Sequence, residues 1–228
     1  MKHDSVYCYP GTDVLINKLN IRQNRRLFIQ ESKLTYMRML ELQLSPLPGN
    51  FDYDHLKAIH KYFFQDVYDW AGEPRTVNIS KGDSLFCCPE NLDYYANESV
   101  FKHFSSDCHA AKDHASFVHV LAEHYGDLNA LHAFREGNGR TQREFARELC
   151  LDYGYELDLR NTTHQMMLDA SYLSFQTGDN SKLEKIFSEA VTNKKDYVKR
   201  RDRVHQLQIL SIDDIPKELE DDDIFANK

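Results

Sequence analysis

The chain has 228 residues, 41% of them hydrophobic and 28% charged, with a mean hydropathy of −0.63. That balance excludes intrinsic disorder, a collagen-like repeat and a membrane-embedded protein, and a chain of this length buries roughly 70% of its unfolded surface. The net charge is −8, of which the last sixteen residues, with seven acids and two lysines, carry −5; the rest is too weakly charged for broad capture of nucleic acid, so no direct nucleic-acid binding is expected.

Cysteine usage and the chain start agree with a cytoplasmic setting. Cys8, Cys87, Cys88, Cys108 and Cys150 are odd in number and show neither CxxC nor CxxH spacing, which suggests no disulfide framework and no zinc site. The first residues contain no apolar stretch of signal-peptide type, and no apolar run approaches the length of a bilayer span, so no membrane partner is expected.

Helical periodicity dominates the chain in order. Leu27, Leu34, Met37, Leu40 and Leu44 predict a helix over residues 27–44, and Leu56, Ile59, Phe63, Val67 and Trp70 predict one over 54–70. Residues 75–80 then alternate apolar and polar, the turn residues Lys81, Gly82, Asp83 and Ser84 follow, and Leu85, Phe86 and Cys87 resume, which reads as a small β-hairpin. Further helices are expected over 89–104, 114–131, 140–153, 163–176 and 181–204. The strongest is 114–131, where Val118, Leu121, Ala122, Tyr125, Leu128 and Leu131 form one apolar face. His103, His109, His114, His119 and His124 recur at five or six residues, so they cannot meet at one metal from a single helix face. The expectation is one all-α domain over residues 1–205 and an acidic tail over 206–228. Residues 194–203, with six basic and two acidic side chains, read as a solvated helix face.

The chemistry concentrates in His132-Ala-Phe-Arg-Glu-Gly-Asn-Gly-Arg-Thr-Gln-Arg143. Gly137, Asn138 and Gly139 fall between two amphipathic helices, where small residues bring backbone N–H groups to the positive end of the second helix and make an anion site. Arg140 and Arg143 lie three residues apart, on one side of its first turn, where cations are unfavourable unless something negative compensates them. Two planar forks beside an N–H nest suit a polyphosphate, and Glu136 next to such a site is explained by a bridging Mg²⁺. His132, neutral at pH 7, suits a general base.

This segment resembles the signature of the Fic family, HxFx(D/E)GNGRxxR, with every specified position present and Ala133 where Pro is commonest. Residues 9–15, 64–82 and 154–158 are similar to other family elements, so the resemblance covers about residues 7–190. It implies a helical bundle with a β-hairpin flap that transfers AMP from Mg·ATP to a Ser, Thr or Tyr hydroxyl of a target protein and releases pyrophosphate. By position, His132 would be the base, Glu136 would hold Mg²⁺, and Gly137, Asn138 and Gly139 would form the anion hole, with Asn138 also near the α-phosphate. Arg140 and Arg143 would bind the outer phosphates, and Ile79, Ser80, Lys81, Gly82, Asp83, Ser84, Leu85 and Phe86 would form the flap that aligns the target. Gly139 occupies the position where a phosphorylating branch has Lys.

Many family members are inhibited by a Ser/Thr-x-x-x-Glu-Gly/Asn helix, but no Ser or Thr here is followed four residues later by Glu. The resemblance therefore implies a toxin-type member with a separate antitoxin protein and a target such as a type II topoisomerase. Transfer of UMP, GMP or phosphate, or a non-catalytic nucleotide-binding module, are the alternatives.

Overall fold

In the computed structural model of the chain, residues 6–81 and 84–194 are described. The chain divides into two units, Met1–Thr192 and Asn193–Lys228. The boundary expected near residue 205, the acidic tail, most of the basic segment and the flap tip Gly82-Asp83 lie outside the described residues.

The first unit is built around α5 (His114–Leu131). Asp113 caps it: its Oδ1 accepts from the Ser116 N–H at 2.8 Å, while the Asp113 N–H donates to Ser116 Oγ at 3.1 Å. Phe117, Val118, Leu121, Ala122, Tyr125, Leu128 and Leu131 of this helix are buried. Packed on α5 are α4 (Phe104–Ala110), α6 (Asn138–Asp152), α7 (His164–Thr177) and α8 (Ser181–Ala190). On the far side of α6 lies α2 (Tyr53–Phe64), which carries α1 (Asn24–Leu44) in turn. Strands are short: β1 (Ser80–Lys81) pairs antiparallel with β2 (Ser84–Leu85), and β3 (Tyr155–Leu157) pairs with β4 (Val191–Asn193).

Several expectations are corrected. The helix predicted over 54–70 ends at Phe64, because the Val67 carbonyl accepts from the Lys18 N–H at 2.8 Å and Tyr68 stacks on Trp70 with centroids 4.2 Å apart; residues two apart cannot stack on a helix. The 89–104 helix breaks into a 3₁₀ turn, the single turn α3 (Leu92–Tyr95) and a π turn over Ala96–Val100, after which α4 starts afresh. The last helix ends at Ala190 and passes into β4, which with β3 was not anticipated. The hairpin ladder is confined to four residues, although residues 75–80 keep their alternation of burial.

The largest correction concerns α1. Its buried stripe is Leu27, Glu31, Thr35 and Leu42, whereas Met37 is 49% and Leu44 83% exposed. The helix has rotated to turn two polar residues inward.

Between α2 and α6 lies a buried hydrogen bond. Both His55 and Glu148 side chains are 1% exposed, with Nε2 and Oε2 at 3.1 Å. His55 Nδ1 accepts from the Phe51 N–H, so Nε2 carries the proton, and Glu148 Oε1 accepts from the Leu47 N–H at 3.1 Å. Glu148→Ala strips the buried His55 Nε2–H and the part-buried Leu47 N–H of their acceptor and is expected to lower stability by about 3 kcal/mol, read as an earlier urea midpoint at unchanged slope.

Candidate active site

The motif loop joins the C-terminus of α5 to the N-terminus of α6. His132 ends α5 in the left-handed region, φ 44°, an uncommon conformation for a residue with a side chain. Its Nδ1 lies 3.2 Å from the Asn129 carbonyl. A carbonyl can only accept, so Nδ1 carries the hydrogen and the basic lone pair sits on Nε2. The ring stacks on Phe86 at 3.9 Å and 14°, and Phe86 makes an edge contact with Phe175.

Arg75 fastens this loop to the flap. It is 2% exposed; Nε donates to the His132 carbonyl at 2.9 Å, Nη1 to the Val77 carbonyl at 2.8 Å, and Nη2 to the Cys87 carbonyl. Its N–H donates to the Ala133 carbonyl at 2.8 Å. Burial pushes the guanidinium below its ordinary pKa.

The loop is closed from within by Asn138. Its Oδ1 accepts from the Phe134 N–H at 2.9 Å and its Nδ2 donates to the Phe134 carbonyl at 2.7 Å, so what Asn138 presents at the helix end is its backbone N–H. Gly137 adopts φ 81°, and a Cβ there would fall 2.1 Å from the Phe64 ring. Both facts demand glycine. The Gly137 N–H is taken by Glu136 Oε1 at 2.8 Å. The Thr141 N–H is the first to bond within α6, to the Gly137 carbonyl at 3.1 Å. The N–H groups of Asn138, Gly139 and Arg140 thus stand at the positive end of a fifteen-residue helix.

The two arginines were expected to share one side of this helix; they reach different neighbours. The Arg143 guanidinium lies close to the Tyr125 hydroxyl of α5, and its Nη1 lies 3.2 Å from where a Gly139 Cβ would be, so it folds back over the helix start. Arg140 turns to α1. Its Nη2 donates to Glu31 Oε1 at 2.6 Å and lies 3.3 Å from Glu136 Oε1, while Nη1 donates to Thr35 Oγ1 at 3.2 Å. Its charge lies over the Phe64 ring at 4.7 Å. Burial alone would lower the Arg140 pKa, but the Glu31 and Glu136 carboxylates outweigh it and the value rises. The compensating negative charge inferred from the sequence is therefore, at Arg140, supplied by the protein itself.

His60 supports the loop from beneath. It stacks on Phe134 at 3.8 Å, its Nδ1 accepts from the Gly72 N–H at 2.8 Å, and its Nε2 donates to the Glu136 carbonyl at 3.0 Å. Burial, with Arg140 adding to it, pushes the His60 pKa down to about 3. Sequence reading missed the roles of Glu31, His60 and Asn129. The only trace was a polar residue placed where a helical stripe turns inward.

The flap base is in place: the Phe86 N–H donates to the Ile79 carbonyl at 3.3 Å, and Ser80 pairs with Leu85, whose side chain is 59% exposed. The five spaced histidines go separate ways; His124 pairs with Asp107, His119 with Glu184, and His114 with the Val191 carbonyl.

A family model described as Fic/DOC matches residues 50–150. Protein adenylyltransferase VbhT of Bartonella schoenbuchensis is 41% identical over 170 residues, which are 74% of this chain but only 35% of that protein, so the chain spans about a third of its length. The probable protein adenylyltransferase y4lH of Sinorhizobium fredii is 39% identical over 175 residues, 75% of this chain and 88% of that protein. The chain belongs to the Fic/DOC family. A solved Fic domain from Bartonella quintana with bound ADP shares the fold at a TM-score of 0.76 and 24% identity, over 84% of this chain and 97% of that one. The Fic match begins after α1, so Glu31 lies outside it.

Two outcomes follow from this Fic site. Gly137→Ala combines a left-handed backbone with overpacking against Phe64 and should cost about 3 kcal/mol; Phe64→Leu in the same chain should recover the packing share alone in a denaturation cycle. His60 is neutral when folded, so the unfolded chain takes up its proton first as pH falls. Its contribution is complete above the ordinary value near 6.5 and is lost progressively toward pH 3, by up to about 4–5 kcal/mol. Comparing the stability–pH slope of the wild type with that of His60→Phe between pH 6.5 and 4 should show a flatter slope in the variant.

Proposed function

We propose that this Fic protein is a protein adenylyltransferase that moves AMP from ATP to a Ser, Thr or Tyr hydroxyl of a target protein. The observation that carries this is the His132 tautomer: Nδ1–H is committed to the Asn129 carbonyl, so Nε2 is the proton acceptor, on a residue six positions before the N–H cluster that opens α6. The names of the relatives give the same class of transfer.

In this reading His132 Nε2 takes the hydroxyl proton as the hydroxyl oxygen attacks the α-phosphorus. The bond from that phosphorus to the β-phosphate oxygen breaks, and pyrophosphate leaves. The N–H groups of Asn138, Gly139 and Arg140 and the Arg143 guanidinium receive the phosphate charge. The main chain of β1 and β2 would align a target segment by strand pairing.

Glu136 fits a Mg²⁺ ion. Its side chain is 43% exposed and both protein contacts use Oε1, so Oε2 remains for a cation. Among the described residues no cluster of three His, Cys, Asp or Glu forms, so the other ligands would be phosphate oxygens and water, the usual mode for Mg²⁺. Bound there, Mg²⁺ would neutralise charge on the phosphates of ATP.

Regulation by a separate antitoxin carrying the Ser/Thr-x-x-x-Glu-Gly/Asn helix is part of the proposal, supported by the absence of that pattern from the sequence. Type II topoisomerases are the first targets to try, and the cytoplasm is the setting in which ATP is at hand. No helix among the described residues is long and apolar enough to cross a membrane.

The chain incubated with α-³²P-ATP and a bacterial lysate should label a protein band, and His132→Ala should reduce that label by at least about 10²-fold, the usual share of a general base. Label from γ-³²P-ATP alone would instead identify phosphorylation, and equal labelling by the variant would rule out His132 as the base.

A further inference from the structure

Behind the anion loop runs a line of contacts that the transfer reaction does not use. Glu31 is 8% exposed at its side chain. Its Oε1 receives Arg140 Nη2 at 2.6 Å, and its Oε2 accepts from the Tyr68 hydroxyl. Thr35, one turn further along α1, takes Nη1 of the same guanidinium, and Phe64 lies beneath it. The Nη2 that meets Glu31 also reaches Glu136 Oε1, the oxygen that holds the Gly137 N–H. For Arg140 to swing onto a phosphate it would abandon a buried carboxylate to a single phenol, and an uncompensated buried charge is strongly unfavourable.

We propose that Glu31 is a positioning residue for the reaction: by holding the Arg140 guanidinium on α1, it fixes the Glu136 carboxylate with Oε1 turned into the loop and Oε2 turned toward the cation that accompanies ATP. Arg140 is then a strut between α1 and the metal ligand, and the phosphates fall to Arg143 and the helix N–H groups. This rests on the functional reading above.

The test is binding, not turnover. The full chain is titrated with a fluorescent, non-hydrolysable ATP analogue at a series of Mg²⁺ concentrations, and Mn²⁺ uptake in the presence of the analogue is followed by electron paramagnetic resonance. Glu31→Gln keeps the shape and removes the charge. The Mg²⁺ midpoint for nucleotide binding should rise about tenfold, as for other groups that orient a metal ligand. Mn²⁺ uptake should shift in parallel, while metal-free nucleotide affinity stays within about twofold. Arg140→Gln should give the same shift, and the double variant no further one, because both act through one contact line.

An unchanged midpoint in Glu31→Gln overturns the proposal, as does an Arg140→Gln variant that loses metal-free nucleotide binding, which would make Arg140 a phosphate ligand. Where Glu31→Gln does not fold, Tyr68→Phe decides: it removes only the contact to Oε2 and should raise the midpoint about threefold, a smaller effect in the same direction, and no rise overturns the proposal. A wild-type chain that binds no nucleotide at any Mg²⁺ concentration removes the functional reading and this one with it. Mg²⁺-dependent wild-type binding with unaltered variants removes this one alone.

Discussion

A guanidinium buried without a carboxylate must spread its charge over carbonyl dipoles, and the site depends on Arg75 doing so. Its three donors meet the carbonyls of His132, Val77 and Cys87, which belong to the motif loop and the two legs of the flap. A lysine could satisfy only part of this fork, since its ammonium is a point charge with no fixed plane. The flap would still form its few ladder bonds, but nothing comparable would hold its base to the backbone of His132. The spacing between the hairpin and His132 is thus set by one side chain.

His132 is held with similar economy. Its backbone sits in the left-handed region at the end of α5, its Nδ1–H is bound to the helix it has just left, and its ring is covered by Phe86. Conformational strain of about 1–3 kcal/mol at such a residue survives only where the surroundings fix it from several sides. Here the sides are Arg75 through the carbonyl, Asn129 through Nδ1 and Phe86 through the ring face. The tautomer, the direction of the lone pair and the contact with the flap are therefore fixed together.

The central helix, the motif loop and the helix after it were legible in the sequence because each combines a strong local signal with its own burial. The helix expected over about 114–131 from one apolar face runs His114–Leu131, with Asp113 capping its start. The end of the second helix was not legible: its apolar spacing continues through Val67 and Trp70, and what stops it is a hydrogen bond from Lys18, far off in the chain. The first helix misled for a related reason. Its leucines and methionine describe one apolar face, yet Glu31 and Thr35 are the residues turned inward, because Arg140 needs them there. Periodicity counts hydrophobic residues, and a stripe made inward-facing by a distant charge contributes nothing to that count. The same blindness hid His60, whose ring belongs to the core only because both its nitrogens find backbone partners.

The span matched by the Fic model starts at residue 50, while the buttress behind its loop stands on a helix that ends at Leu44. A fragment cut to the matched span would keep every motif residue and still strip the Arg140 guanidinium of the Glu31 and Thr35 partners that α1 supplies. The smallest autonomous piece of this protein must therefore begin upstream of Glu31, and the homology boundary and the folding boundary are different places in the chain.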